Sequence, residues 1–339
     1  LKYKMAGKKI AIDLGTANFL VAVEGKGIIL NEPTVVAIDM DTKKVLAVGT
    51  NAKQMLGKVP GNIIARRPLK QGVIASYKLT EALISAMLAK ALGRTRFFKP
   101  EVMISVPAGI TSVEQRAVIE AAVTAGAGKV YLVPEPIAAA IGAQLPVSSS
   151  AGNMIVNMGG GTSEIAIISM NGIVTYESKR VAGDTINDAI INFVRKKYSL
   201  AIGEQMAEQI KIDIGSAKMM DKPLEKHVRG RDVTTGLPHS IHLTSNDFVE
   251  PINQVLNQIL ASIKNVLEKT PPELSSDIID RGIVLSGGTS LLRNIDDLFT
   301  NAIGVPFHNV ENPQECVING ILESLDHIEV LKAGLRSIT

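Results

Sequence analysis

Between residues 8 and 48 the chain reads as short apolar blocks separated by turn formers. The blocks Lys9–Asp13, Phe19–Val23, Gly27–Leu30, Thr34–Ile38 and Val45–Val48 fit strands, and Asn31-Glu32-Pro33 and Asp39 to Lys43 punctuate them. The period then changes. Thr50–Leu56 and Leu79–Leu92 carry apolar residues at helical spacing, and Val102–Val106 returns to a strand. Thr111–Ala125 reads as a helix opened by a capping box, with Thr111 as the cap and Glu114 three residues on. Val130–Val133 is a strand, and Pro134–Ala143 a helix started by its proline.

After a connector of small residues, Leu145–Asn153, the pattern begins again. Strands are expected at Met154–Asn157, Glu164–Ser169 and Ile173–Val181, then helices at Asp184–Tyr198 and Gly203–Ala217. Residues 218–243 hold two short β-like runs and read as an insertion. Phe248, Ile252, Val255, Ile259 and Ile263 line one face of a helix whose main part Pro251 starts. A strand at Asp280–Leu285 leads to Ser286-Gly287-Gly288-Thr289, which opens a helix running through Phe299. Cys316–Leu325 is the last helix before a mobile tail. Mixed strands alternating with helices give an α/β core.

Two of these stretches share a grammar. Ile10–Val23 and Ile155–Ile168 are each an apolar strand, a polar acceptor, a glycine-bearing turn with small hydroxyl or amide residues, and a second apolar strand. A strand–loop–strand unit recurring at a long interval points to a duplicated domain. Gly159-Gly160-Gly161 carries no Cβ, so backbone N–H groups can approach a bound group closely. Successive N–H groups form a concavity suited to a polyphosphate. A third loop, Ser286–Ser290, brings Gly287 and Gly288 to a helix start, where a base or ribose phosphate meets bare backbone. Ligands of α/β sheets gather at the carboxyl ends of strands. Asp13, at the end of an apolar run, suits Mg²⁺ held through its waters; read alone, it is also an ordinary turn-forming Asx residue.

Composition narrows the field. The chain has 339 residues, a length that favours two domains of ordinary size. It is 46% hydrophobic and 20% charged, which supports a sizeable core and argues against disorder. The net charge of +3 is too small for a protein committed to nucleic acid. Cys316 is the single cysteine, so no internal disulfide forms, and without a secretory signal a reducing cytoplasm is expected. No run approaches the roughly 20 apolar residues of a membrane span. The histidines have no metal-ligand spacing.

The pattern resembles the actin–Hsp70–sugar kinase superfamily and, closely, the bacterial actins of the MreB rod-shape family. The carriers are AIDLGTAN (Ala11–Asn18), GKGIILNEPTVVAID (Gly25–Asp39), VPAGIT (Val106–Thr111), PEPIAAAIGA (Pro134–Ala143), GGGTSEIAIIS (Gly159–Ser169), AEQIKIDIGSA (Ala207–Ala217) and LEKTPPELSSDIIDRGIVLSGG (Leu267–Gly288). The resemblance implies an actin-like ATPase fold: two duplicated ribonuclease-H-like domains with a nucleotide cleft between them. It places domain I at 1–145, with an insertion at about 31–78, and domain II at 146–339, with an insertion at about 182–260 and the last helix packed back on domain I. It also implies ATP with Mg²⁺, and self-assembly into antiparallel double filaments. The filaments would lie at the inner face of the cell membrane, with cell-wall synthesis membrane proteins as partners.

Carried over residue by residue, Asp13 orders Mg²⁺, and Gly15, Thr16, Ala17 and Asn18 hold phosphate. Gly159, Gly160 and Gly161 cradle it from the other side. Glu135 positions the attacking water with Thr162 beside it. Gly183, Glu208 and Lys211 face the ribose and adenine, and Gly287, Gly288 and Thr289 flank the base. Read without the family, Glu135 is equally a first-turn acid favoured by the helix dipole, and Glu208 with Lys211 an i,i+3 surface pair.

One departure stands at the metal. Asn157 occupies a position where the family usually has Asp. Its amide accepts a hydrogen bond from a metal-bound water but brings no charge, so ATP binding with weakened hydrolysis is expected, and a nucleotide-locked scaffold is the alternative reading. A small-molecule kinase is a third, for which no spare catalytic Asp motif is found. Phe97 and Phe98, ringed by Arg94, Arg96 and Lys99, suit insertion into an anionic membrane interface; packing beneath the loop is the alternative.

Overall fold

The computed structural model describes residues 8–92 and 99–325. Two five-stranded sheets of the same topology organise it. In the first, Lys9–Leu14, Asn18–Val23 and Gly27–Pro33 form an antiparallel meander. Glu101–Val106 joins the other edge of Lys9–Leu14 in parallel, and Lys129–Pro134 joins it in turn, also parallel. The second sheet repeats each step. Asn153–Met158, Ser163–Ser169 and Gly172–Lys179 make the meander. Ile283–Ser286 and Phe307–Asn309 add in parallel on the far side of its first strand. The duplication expected from two glycine loops is a duplication of whole sheets.

The central strands are apolar on both faces because both faces are covered. On the outer face of the first sheet, Ile10, Ile12 and Val21 pack with Leu83 and Met87 of the Tyr77–Leu92 helix and Val118 of the Ser112–Thr124 helix. On the outer face of the second, Val156, Ile165 and Ile167 pack with Ile252, Leu256 and Ile259 of the Val249–Glu268 helix. The inner faces share one core. Ala11, Leu20 and Ala22 meet Ile155, Ala166 and Ile168 across the Glu135–Gly142 and Cys316–Ser324 helices. Each buried aliphatic side chain contributes about 1.5–3 kcal/mol, against about 0.2–1 kcal/mol for a surface ion pair, so apolar packing fixes the sheets.

Those two helices cross with backbone against backbone. A Cβ on Gly142 would overlap the carbonyl oxygen of Cys316, and one on Gly320 that of Ala138. The Cys316 thiol donates to the Ala139 carbonyl at 3.1 Å, and burial pushes its pKa up to about 12, so it is an inert packing group.

Three smaller sheets accompany the main ones, one of them only the pair Leu69–Lys70 and Val73–Ile74. Val36–Asp39 lies between Val45–Val48 and Ile63–Arg66, beside the Thr50–Met55 helix. Glu225–Asp232 lies between Leu200–Ala201 and Pro238–Thr244. The Ile63–Arg66 and Phe307–Asn309 strands had no sequence signal long enough to read. Asp280 belongs to a helix, Pro272–Arg281, that the proline pair begins and Gly282 (φ 79°) ends; the following strand is Ile283–Ser286. The glycine pair after Ser286 opens only a 3-10 turn, Gly288–Leu291. Asn294 (φ 61°) breaks the chain before the Ile295–Ile303 helix. The long apolar helix starts at Val249, two residues ahead of Pro251, out of a 3-10 turn at Ser245–Phe248.

Candidate nucleotide site

A cleft of about 410 Å³ opens between the two sheets, at the carboxyl ends of their first strands. Its volume is within the roughly 300–1,000 Å³ of small-molecule sites. Asp13, Gly15, Thr16, Ala17 and Asn18 line it from the first half, with Glu135 at the floor. Asn157, Gly159 to Gly161 and Thr162 line it from the second, with Gly183, Glu208 and Lys211 at one wall and Gly287, Gly288 and Thr289 at another. Every residue expected to touch nucleotide, water or metal lies in this one cavity. Phe97 and Phe98 lie outside the described residues.

The glycine loops face each other. A Cβ on Gly160 would stand 2.7 Å from the Cβ of Ala17, and one on Gly161 2.5 Å from Thr16 Oγ1. Only glycine fits an approach this close. The carbonyls of the triple-glycine turn are held from behind. Thr289 Oγ1 donates to the Gly159 oxygen at 2.7 Å, and the Asp184 N–H to the Gly160 oxygen at 2.8 Å. The N–H groups of Gly160 and Gly161 have no acceptor among the described residues. Fixed carbonyls and free N–H groups make an anion cradle. Across from it, Thr34 Oγ1 holds the Gly15 carbonyl at 2.7 Å, and Thr16 Oγ1 accepts the Gly72 N–H at 3.1 Å.

Acids crowd the floor. Asp13 accepts one hydrogen bond, from Ser105 Oγ at 2.8 Å; burial outweighs it and raises its pKa to about 6. Glu135, at the first turn of its helix, is pushed well above the carboxylate range by burial, then by the charges of Glu164 and Asp13. Glu164 is raised by burial against the Ser178 hydroxyl and the Ala108 N–H, which it accepts at 3.1 Å. No cation of the described chain is placed among these three acids. Asn157 turns its Oδ1 to Ser286 Oγ at 3.1 Å and its Nδ2 to Glu135 Oε2 at 3.5 Å.

Glu208 and Lys211 share a helix, Glu204–Ile214, but bond elsewhere. Lys211 Nζ donates to the Gly183 carbonyl at 3.0 Å, and burial lowers its pKa against the opposing pull of Asp184 and Glu208. Glu208 accepts from Lys53. Ile212 and Leu291 put exposed apolar surface into the same cavity, a platform suited to the flat face of a base.

Sequence reasoning missed Glu164, Lys53, Asp184, Ile212, Leu291 and Gln314. Glu164 had a signal: it is a lone acid opening an apolar strand, and it pairs in register with Asn157 on the same sheet face. Asp184 was visible as the residue after Gly183. Lys53 had none, because only the fold brings its helix to the cleft.

The family described as MreB/Mbl protein matches residues 7–333. The cell shape-determining protein Mbl of Bacillus cereus is 47% identical over 98% of this chain and 100% of that protein. The cell shape-determining protein MreB of Escherichia coli is 48% identical over 98% of this chain and 97% of its own length. Among solved structures, MreB5 of Spiroplasma citri bound to ADP superposes with a TM-score of 0.90 at 33% identity, covering 96% of this chain and 98% of that one. The same protein bound to AMPPNP superposes with a TM-score of 0.89. The doubled sheets, the facing loops and these likenesses agree: the fold is actin-like, and the chain belongs to the MreB/Mbl family of bacterial actins.

Proposed function

We propose that this chain binds ATP in the cleft between its halves, residues 1–145 and 146–339, and assembles with copies of itself into antiparallel double filaments that help set cell shape. The observation that carries the reading is the pair of facing glycine loops, with Gly160 and Gly161, whose N–H groups have no acceptor among the described residues, lining an acid-floored cavity. Support comes from the Spiroplasma citri relative, whose structures hold ADP and AMPPNP, and from the cell-shape proteins of Bacillus cereus and Escherichia coli. In this reading Gly15 to Asn18 hold phosphate from one side and the triple glycine from the other. Glu135 orients the attacking water with Thr162 beside it, and Gly183, Glu208, Lys211, Gly287, Gly288 and Thr289 surround the nucleoside.

Mg²⁺ fits the floor. Asp13 is an acid whose burial is offset by one hydroxyl only, a deficit that a divalent ion would remove. Asp13 would hold it through water, and the ion would supply positive charge to the phosphates. Asn157 adds no charge there, and its oxygen is engaged by Ser286. This favours a second reading, a nucleotide-bound scaffold with slow or absent hydrolysis. Filaments would lie at the inner face of the cell membrane, near cell-wall synthesis membrane proteins. No helix among the described residues is long and apolar enough to cross a membrane.

The test is sedimentation with Mg-ATP against Mg-ADP, imaged by negative-stain electron microscopy, with thermal unfolding in parallel. A heat shift with Mg-ATP and nucleotide-dependent pelleting are expected. A chain that shows no heat shift and stays monomeric at high concentration is not a nucleotide-dependent filament protein. Phosphate release then separates the hydrolysing filament from the locked scaffold.

A further inference from the structure

Two groups of ion pairs bridge the mouth of the cleft. Lys53, on the Thr50–Met55 helix of the first half, reaches Glu208 Oε2 at 2.9 Å. The backbone carbonyl of Lys53 also accepts from Gln205 Nε2 at 2.9 Å. Arg67, which follows the Ile63–Arg66 strand, places Nη1 at 3.1 Å from both oxygens of Asp184 and Nη2 at 2.6 Å from Glu204 Oε1. Every carboxylate in these pairs, and the Gln205 donor, belongs to the second half, on the Glu204–Ile214 helix or at the start of the Gly183–Tyr198 helix.

These pairs do little for folding. Part-exposed ion pairs contribute modestly, and the desolvation of Arg67, whose Nε is buried without an acceptor, works against its own pairs. What they join is more telling. The helix that Lys53 grips carries Glu208 and Lys211, and Asp184 is the neighbour of Gly183. Both attachment points are therefore walls of the nucleotide cavity. The contacts cross the cleft between two insertions whose apolar clusters are separate there; the core shared by the two inner sheet faces lies elsewhere, around the Glu135–Gly142 and Cys316–Ser324 helices.

The geometry points to Lys53 and Arg67 as positioning residues supplied across the cleft, which hold Glu208 and Asp184 against the nucleotide and set how fast it leaves. The inference rests on the nucleotide reading. Bound nucleotide fills the gap and favours the closed form in which both pairs are made. Release needs the gap to open, so it needs both pairs to part. Their strength should then appear in the dissociation rate more than in the association rate, and should fade with salt.

The experiment is stopped-flow release of an N-methylanthraniloyl ATP analogue, with Mg²⁺, from the full chain and from Lys53→Gln, Arg67→Gln and the double variant, at 50 and 500 mM salt. Release from the parent should quicken with salt. Each single variant should release about fivefold faster at low salt, and the double variant more than tenfold faster with its salt dependence flattened. A double variant with the parent's rate and salt slope overturns the inference; so does one that loses thermal stability without faster release. A carbodiimide, which joins paired amine and carboxylate directly, gives a separate reading on the parent with and without Mg-ATP. A Lys53–Glu208 amide in the peptide mass spectrum supports the closed pair, and its absence overturns it. Failure of the parent to bind the analogue counts against the nucleotide reading, and the amide still decides the contact.

Discussion

Asn157 and Glu135 stand together at the cleft floor, with the amide nitrogen 3.5 Å from the carboxylate oxygen and the amide oxygen held by Ser286. An Asp in that place would bring a further acid beside Asp13, Glu135 and Glu164, all of which burial already disfavours as charges. Asn157→Asp should therefore destabilise the metal-free chain and depend on Mg²⁺ for recovery. With the second carboxylate in place to order the metal's waters, phosphate release should rise by about tenfold or more. Equal release rates for parent and variant would refute the view that Asn157 slows hydrolysis.

The sign of the pH dependence at Asp13 follows from its raised pKa, about 6 against an ordinary 3.8. The folded chain keeps a proton that the unfolded chain has released. The stability this group contributes is complete below about pH 3.8 and is lost as pH rises through about 6. Two pKa units correspond to roughly 3 kcal/mol. Without metal or nucleotide, Asp13→Asn should thus be more stable than the parent at pH 7, by up to roughly 3 kcal/mol, and the gap should close toward pH 4. With Mg-ATP the order should reverse if, as proposed, Asp13 anchors the metal. Denaturant unfolding from pH 4 to 7.5 checks this; a gap that ignores pH would show that Asp13 is not the buried acid described.

Gly160→Ala tests the facing loops. Its Cβ would stand 2.7 Å from Ala17 Cβ, and overpacking of this kind costs about 1–3 kcal/mol. Because the contact spans the cleft, the halves can relieve it by opening. Nucleotide affinity should fall by about 10- to 100-fold while thermal stability without nucleotide changes little. Equal losses in both would place the clash in the core instead.

The sequence disclosed most where local chemistry and fold coincide. Gly159 to Gly161 need no context, since a run without Cβ atoms between apolar strands admits few uses. Thr111 with Glu114 is a capping box in sequence and in space, with Thr111 Oγ1 accepting the Glu114 N–H at 3.3 Å. The metal and water residues were read from family likeness, and the cleft gathers them. What stayed hidden depends on long-range closure. Lys53 lies 155 positions from Glu208 and is unremarkable on its own helix. The short Ile63–Arg66 strand follows Pro60 and Gly61 and exists because Val36–Asp39 offers it an edge. The glycine pair at Gly287 failed to start a long helix because Gly287 adopts φ 82° against the Met158 carbonyl, which commits it to the cleft.

Phe97 and Phe98 lie in the sequence between the Tyr77–Leu92 helix and the Glu101–Val106 strand, outside the described residues. Two aromatic rings among Arg94, Arg96 and Lys99 combine apolar area with attraction to anionic lipid. Replacing both phenylalanines by Ser should reduce pelleting with anionic liposomes by about tenfold and leave nucleotide binding intact. Unchanged pelleting would rule out this pair as a membrane contact, and the basic stretch Leu1 to Met5 would be tested next.

Gly320 links the last helix to the floor of the cleft. An alanine there would drive its Cβ into the Ala138 carbonyl oxygen, and backbone cannot swing aside as the end of a side chain can. The Glu135–Gly142 helix must then shift, and Glu135 is its first residue. Gly320→Ala should cost at least about 1–3 kcal/mol of stability. Any phosphate release should fall further than the loss of folded protein explains, because the carboxylate moves with its helix. Cys316→Ala is the contrast. It removes one thiol donor to Ala139 and leaves the backbone crossing intact, so it should cost far less and leave turnover per folded molecule unchanged. If the two variants lose turnover alike, Glu135 is not placed by this crossing.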